Sequence, residues 1–327
     1  MKAFVSDKYG SYEVLKKIEI LKPTPKKGEV LVKVLVTTIN SADVELLKGN
    51  FLIRLGSPFK PAHKVLGSDI SGIVEMVGPE VEDFVIDDLV YADTSDVKFG
   101  GFAEYICVSQ QDLRKKPKSL SILNAGAIPS AAVLAYQGIK DMKLNANDKV
   151  LINGAGGGMG TFAIQIAKAY GTEVTGVDNK YKQEKMLSLG ADYVLDYELD
   201  DFTEQNIKYD AVLDCYATRK MKKIKKVLRE DSCYVLVGGK VRIILQAFLE
   251  SRRKNTAVSV LLAKYNNKEY LNHIQDLIND DKLYPVIDKI YKFSELKKAF
   301  AYYRDNKFFG KIAIVNDEYY ESIKNSI

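Results

Sequence analysis

Val150-Leu151-Ile152-Asn153-Gly154-Ala155-Gly156-Gly157-Gly158-Met159-Gly160 is the stretch on which the architecture turns. Lys149–Ile152 reads as a short buried strand, and Phe162, Ile164, Ile166 and Ala167 then fall at helical spacing over Gly160–Tyr170. A glycine-rich string between a strand and a helix has the context of a dinucleotide-binding turn, here Ala155-x-Gly157-x-x-Gly160 with alanine in the first glycine's place. Lack of side-chain bulk lets the backbone approach a pyrophosphate. The helix N-terminus offers N–H donors and a partial charge of about +0.5, and Gly160 permits close helix–strand packing. On this reading Ala155, Gly156, Gly157, Gly158, Met159 and Gly160 surround the diphosphate. Asp178 stands 18 residues past Gly160, at the end of the next strand, where an acidic side chain binds the adenosine ribose diol. It favours NAD(H) over NADP(H), a bias that Lys180 and Lys182 offset, while Asn179 suits either cofactor. The plainer alternative for Asp178 is a loop carboxylate or a cap for the helix Tyr181–Leu189.

Outward from this motif, residues 123–265 keep alternating. Strands at Glu173–Val177, Tyr193–Leu195, Ala211–Leu213 and Tyr234–Val237 are separated by helices at Tyr181–Leu189 and Lys220–Leu228. That alternation predicts an α/β fold, a Rossmann doubly wound parallel sheet covered on both faces. Residues 1–122 read differently. Short apolar or alternating runs (Val30–Val36, Ser71–Val77, Leu89–Ala92) are broken by turn signals at Pro23-Thr24-Pro25, Lys27-Gly28, Gly78-Pro79 and Gly100-Gly101, which suggests a partly open β-barrel. Residues 266–327 hold two helical segments (Lys268–Asn279, Phe293–Tyr303) and two strands (Pro285–Ile290, Lys311–Val315). They are too few for a domain and are assigned to completing the barrel-containing, catalytic domain.

Composition narrows the function. The chain has 327 residues, 46% hydrophobic and 28% charged, with a mean hydropathy of −0.14, values of an ordinary globular protein. No apolar run reaches the roughly 18 residues of a membrane span, and the early charges of Met1–Asp7 do not suit a signal peptide. Three cysteines (Cys107, Cys215, Cys233) make no disulfide framework, which points to a reducing, cytoplasmic setting. With two histidines, His63 and His273, and no Cys-x-x-Cys, a Cys-rich zinc lobe is excluded and no metal ligands are assigned. A net charge of +5 demands no nucleic-acid partner. The basic run Arg219–Arg229 carries Met221, Ile224 and Leu228 at helical spacing, so it reads as a solvated helix face rather than a nucleic-acid or membrane surface.

Further blocks extend the comparison nearly end to end: Gly28-Glu29-Val30-Leu31-Val32-Lys33-Val34, Ile39-Asn40-Ser41-Ala42-Asp43, Leu66-Gly67-Ser68-Asp69-Ile70-Ser71-Gly72, Gly100-Gly101-Phe102-Ala103-Glu104-Tyr105, Leu189-Gly190-Ala191-Asp192 and Gly310-Lys311-Ile312. In order and spacing the chain resembles a zinc-independent member of the medium-chain dehydrogenase/reductase superfamily, quinone oxidoreductase type. The resemblance implies a GroES-like barrel beside the Rossmann domain, an active site in the cleft between them, a nicotinamide cofactor and a homodimer. Zinc-dependent alcohol dehydrogenases of the superfamily place a Cys where Asn40 stands, a His where Ser68 stands and a third ligand near Ala131. Those positions are neutral here, so the expectation is no zinc, and reduction of an already electrophilic quinone or carbonyl acceptor in preference to alcohol oxidation.

Catalytic candidates follow from the same positions. The Asn40 amide is a candidate donor to the acceptor's oxygen, with a strand-end capping residue as the alternative. Asp43 reads as a helix cap more than a proton shuttle. Tyr136, in Leu134-Ala135-Tyr136-Gln137, is a candidate phenol among 20 tyrosines and equally a core residue. Tyrosines that relatives carry at Glu45 and Phe51 are absent, so proton delivery falls to solvent. Family position adds Lys182, Tyr197, Cys215, Gly238, Gly239, Phe308 and Phe309 to the cofactor's surroundings. The leading expectation is an NAD(P)H-dependent quinone or enone reductase. An enoyl-thioester reductase and a non-enzymatic nucleotide-binding relative, crystallin-like or nucleic-acid-binding, are the alternatives.

Overall fold

Glu29–Thr38 is apolar on both faces, which suits a strand covered on both sides. In the computed structural model, which describes residues 1–97, 99–252 and 258–324, it is the hub of a seven-stranded sheet. Strands β1 (Lys2–Val5) and β2 (Lys16–Glu19) form a separate antiparallel pair. The hub, β3, pairs along one edge with β4 (Asp69–Val77), which continues to β5 (Leu89–Asp93). Its other edge is shared: β6 (Tyr105–Ser109) takes Glu29–Lys33, and a strand from the C-terminal region takes Val36–Thr38. A short β7 (Arg114–Lys115) closes on β5. Val30, Val32, Val34, Ile70, Val74, Val90, Ile106 and Val108 fill the core so enclosed. This is the barrel foreseen from the turn signals.

The six strands that follow form one parallel sheet: β8 (Lys149–Asn153), β9 (Glu173–Asp178), β10 (Tyr193–Asp196), β11 (Tyr209–Asp214), β12 (Leu228–Leu236) and β13 (Val258–Val260). Their order is β10-β9-β8-β11-β12-β13, so the direction of winding reverses between β8 and β11, and ligands of such sheets bind at the strand ends beside that reversal. Val150, Leu151 and Ile152 have no exposed surface, because helices cover both faces. The last two strands, β14 (Ile287–Lys292) and β15 (Lys311–Val315), belong to the β3 sheet.

By contacts the chain forms two compact bodies, Met1–Ser130 with Ile287–Asn306 and Lys311–Ile327, and Ala131–Val286 with Lys307–Gly310. The division differs from the one expected in three places, one of them Lys307–Gly310, which joins the second body. The first body runs on to Ser130, and its start at 266 for the C-terminal part moves to 287. The helix Lys268–Asn279 buries Tyr270, Leu271 and Ile274 and packs on the helix Ala131–Met142, which holds it to the second body.

Candidate active site

The glycine turn lies where β8 meets the helix Gly158–Ala169, at the reversal of the second body's sheet. Gly157 opens that helix and no side chain caps it, so its first N–H groups are left for a ligand. The loop admits nothing larger than glycine at its crossing: a Cβ on Gly160 would stand 2.2 Å from the Gly154 carbonyl oxygen. Gly154 itself has φ +84°, the left-handed region that favours glycine. An uncapped helix start over a bare backbone turn fits a diphosphate, so the residues present suit a dinucleotide. Nearby, the ends of three strands are tied together. The Asp214 carboxylate accepts from Asn153 Nδ2 at 2.7 Å and from the Tyr234 hydroxyl at 2.9 Å, and burial pushes its carboxyl up.

Asp178 ends β9 as expected, but its oxygens serve the protein. Oδ2 accepts from Gly156 N at 3.0 Å, and Oδ1 accepts from Asn179 N at 2.8 Å and from Lys182 Nζ at 3.0 Å. Both side chains of the Asp178–Lys182 pair are almost wholly buried. The lysine ammonium also lies 4.9 Å from the Phe308 ring centre. The expected offset of Asp178 by Lys182 takes the form of a buried ion pair. A carboxylate neutralised at 3.0 Å by its own lysine presents little negative charge to a 2′-phosphate. Its evident work is to brace the glycine turn through Gly156.

The other cofactor candidates gather in the second body at the same strand ends. Ala155 is buried, and Cys215 Sγ lies 3.9 Å from Met159 Sδ, its thiol pushed up by burial. Gly238 accepts from Ala217 N through its carbonyl at 2.8 Å, and Gly239 approaches Ala217 backbone too closely for a side chain. Tyr197 is exposed, with its N–H on the Asp178 carbonyl. Phe308 and Phe309 are buried, the latter under Lys185. Tyr136 is a core ring: it is buried, stacks on His273 at 5.5 Å and tilts against Tyr270 at 5.4 Å.

In the first body, sheet order assembles a second cluster. Asn40 follows the end of β3, Ser68 precedes β4 and Asp69 begins it, and Lys311 begins β15, on the two flanks of β3. The Lys311 side chain is 1% exposed and that of Asp69 0%, with Nζ 2.8 Å from Asp69 Oδ2. Lys311 Nζ also donates to Asn40 Oδ1 at 2.6 Å. Asn40 Nδ2 donates to Ser68 Oγ and to Asp69 Oδ2, both at 2.9 Å. Thr38 Oγ1 completes Asp69 Oδ2 at 2.5 Å, and Ser130 N donates to Oδ1 at 2.8 Å. Both amide protons of Asn40 are thus engaged, which removes the side chain as the expected direct donor to an acceptor. Asp43 is wholly buried and accepts from Asn40 N and Gly67 N, so it is a brace between the helix Ser41–Lys48 and the turn before β4. Burial pushes its carboxyl up to about 7.

Lys311 is the residue that sequence reasoning missed. A lysine opening the strand Ile312-Ala313-Ile314-Val315 reads as an edge residue whose stem snorkels to water, and nothing local betrays its burial. A metal suits these positions poorly. Thiolate, imidazole and carboxylate hold zinc, whereas an amide, a hydroxyl and an ammonium surround the single carboxylate Asp69 here. Among the described residues no three His, Cys, Asp or Glu side chains are grouped to hold a metal. Nor is any helix of the described residues long and apolar enough to cross a membrane.

Comparison with known proteins agrees with both bodies. Residues 26–118 match the alcohol dehydrogenase GroES-like domain, and residues 189–314 match the zinc-binding dehydrogenase family. The chain is 31% identical to the NADPH-dependent alkenal/one oxidoreductase, chloroplastic, of Arabidopsis thaliana, over 96% of this chain and 79% of that protein. It is 30% identical to the quinone-oxidoreductase QR1, chloroplastic, of Triphysaria versicolor, over 96% and 98%. The solved quinone oxidoreductase of Coxiella burnetii superposes with a TM-score of 0.85 at 30% identity, covering 96% of this chain and 99% of that one. With both halves of the fold, the nucleotide turn and end-to-end identity in agreement, the chain belongs to the medium-chain dehydrogenase/reductase superfamily, quinone oxidoreductase type, a family of nicotinamide-dependent oxidoreductases.

Proposed function

We propose that this protein reduces a quinone or an α,β-unsaturated carbonyl at the expense of NADH or NADPH, without zinc. When bound, the reduced nicotinamide supplies the hydride. The observation that carries the reading is the donor set around Asn40. An ammonium, an amide and a hydroxyl surround one carboxylate, an arrangement that closes on itself and suits no Lewis-acidic metal. Oxidation of an unactivated alcohol needs such an acid; hydride addition to an electron-poor quinone or enone does not. The chain's own work is then to hold the diphosphate on the start of the helix Gly158–Ala169 and to brace that turn through Asp178. Either nucleotide is compatible, because Lys182 offsets the charge of Asp178.

The proposal includes a homodimer in a cytoplasmic setting with no nucleic-acid or membrane partner. Support against a nucleic-acid surface comes from the basic run. Arg219 and Lys223 pair with Asp201, Lys225 with Glu250 and Arg229 with Asp210. Its helix, Met221–Val227, buries Val227 where Leu228 was expected, since Leu228 already begins β12. The test follows NADH and NADPH absorbance with a naphthoquinone, an enone and an enoyl thioester. The expected outcome is oxidation with the first two. Turnover of the thioester alone gives the enoyl-reductase alternative. Tight nucleotide binding without oxidation by any acceptor ends the enzymatic reading.

A further inference from the structure

We propose that Lys311 is the resident cation of the Asn40 cluster, a positioning residue whose ammonium does for this site what a bound metal does elsewhere. This rests on the reductase reading above. Three observations carry it. The ammonium is buried to 1% exposure yet fully partnered, with Asp69 Oδ2 at 2.8 Å and Asn40 Oδ1 at 2.6 Å. Its two partners stand on separate elements, Asn40 just past the end of β3 and Asp69 at the start of β4, so one ammonium at the start of β15 ties three strands together. The hydrogen bonds also run one way, from Lys311 Nζ to Asn40 Oδ1 and from Asn40 Nδ2 to Ser68 Oγ.

Two consequences follow for the chemistry. Hydride addition leaves negative charge on the acceptor's oxygen, and an uncompensated Asp69 carboxylate in a buried cluster opposes that charge. Lys311 cancels it with a charge carried by the chain itself. The lysine also fixes the rotamer of Asn40, since an amide whose oxygen faces an ammonium must turn its nitrogen to Ser68 and Asp69. With Asn40 so turned, Ser68 Oγ is an acceptor and its own proton is aimed away from Asn40. Among the described residues no acceptor takes that proton, although Ser68 is 1% exposed. A donor polarised from behind in this way is a stronger hydrogen-bonding partner than an isolated hydroxyl.

The test must separate charge balance from positioning. Lys311→Met leaves Asp69 buried and alone and is expected to melt lower. Lys311→Met/Asp69→Asn removes both charges and is expected to melt with the wild type, since replacing a whole buried pair is nearly neutral. Turnover of both variants at saturating NADPH with quinone or enone is expected to fall on the order of 10²-fold in kcat, with KM for NADPH unchanged. Ethylammonium, but not sodium at equal ionic strength, is expected to raise both the melting temperature and the rate of Lys311→Ala. A double variant that matches the wild type in melting and in turnover overturns the proposal, because the lysine then only balances a carboxylate. Wild-type protein that binds NADPH but reduces no acceptor defeats the reductase reading instead. In that case Lys311 is judged by melting alone: recovery of Lys311→Ala with ethylammonium sustains a resident cation, and its absence refutes one.

Discussion

Asp93, at the end of β5, shows how a single buried carboxyl can set the pH response of the fold. It accepts from Ser95 N at 2.7 Å, and burial, reinforced by the charge of Asp69, pushes its carboxyl up to about 7 from an ordinary 3.8. Between those values the native protein holds a proton that the unfolded chain has released. Stability from this group is therefore full below about pH 4 and falls as pH rises to about 7, at up to about 1.4 kcal/mol per unit of difference. Asp93→Asn is expected to remove its share of that fall, leaving the share of Asp43, whose carboxyl burial also pushes up to about 7, and so to be stabilised relative to the wild type more at pH 8 than at pH 5. Urea titrations at the two pH values decide it; a variant whose stability keeps the wild-type slope removes Asp93 as the cause. Residues of this kind mark the limit of legibility at the smallest scale. Asp178 was found from its distance to Gly160, and Lys182 as a charge that offsets it, but their burial as a pair and the bond from Gly156 N to Asp178 were not legible. Asn40 was found from the motif, yet its availability depended on Lys311, 271 residues away in the chain.

At the scale of elements, the glycine turn makes a graded prediction. A Cβ on Gly160 would stand 2.2 Å from Gly154 O and 2.6 Å from the Ala155 backbone, whereas one on Gly157 meets Gly154 O at 3.3 Å. Backbone cannot swing aside as a side chain does, so Gly160→Ala must push the turn away from the helix start. It is expected to cost about 1–3 kcal/mol of stability and to abolish NADPH binding by calorimetry while far-UV circular dichroism stays native. Gly157→Ala is expected to weaken binding without changing the melting point. Equal binding by the two variants would remove the turn from the nucleotide site. Elements like these were legible because their determinants are local: a buried strand, a turn and a 3.6-residue period within about 20 residues. Lys268–Asn279 was read to its ends for the same reason, with an Asn267 cap and one apolar face. The shift of the second C-terminal strand pairings was not legible. β14 pairs with β15, and β15 alone pairs with the end of β3, Ala313 opposite Thr38, and no local period encodes a partner that distant.

For the whole molecule, the two bodies differ in how they use the chain. All six strands of the parallel sheet lie in the contiguous segment 131–286, together with the glycine turn, Asp178, Lys182 and the Asn153–Asp214–Tyr234 ties. The barrel body has no such continuity. It needs 287–306 and 311–327 for β14 and β15, and β15 is buried at all five positions against the end of β3. A fragment of residues 131–286 is accordingly expected to fold with a cooperative thermal transition. It should bind NADPH more weakly than the full chain, because Phe308 over Lys182 and the Gly310 N–H on the Gly156 carbonyl are lost. A fragment of residues 1–130 is expected to be insoluble. Its β3 would expose Val36–Thr38 as an unpaired strand edge, and Asp69 would be buried without Lys311, a loss of about 3–5 kcal/mol for a broken buried pair. Adding back 287–327 in trans should restore the second fragment and, because that piece carries Phe308 and Gly310, tighten NADPH binding by the first. Circular dichroism and calorimetry on the three pieces test the assignment directly: a structured 1–130 would show that the barrel closes without its C-terminal strands, and with it that the Lys311–Asp69 pair is dispensable for folding.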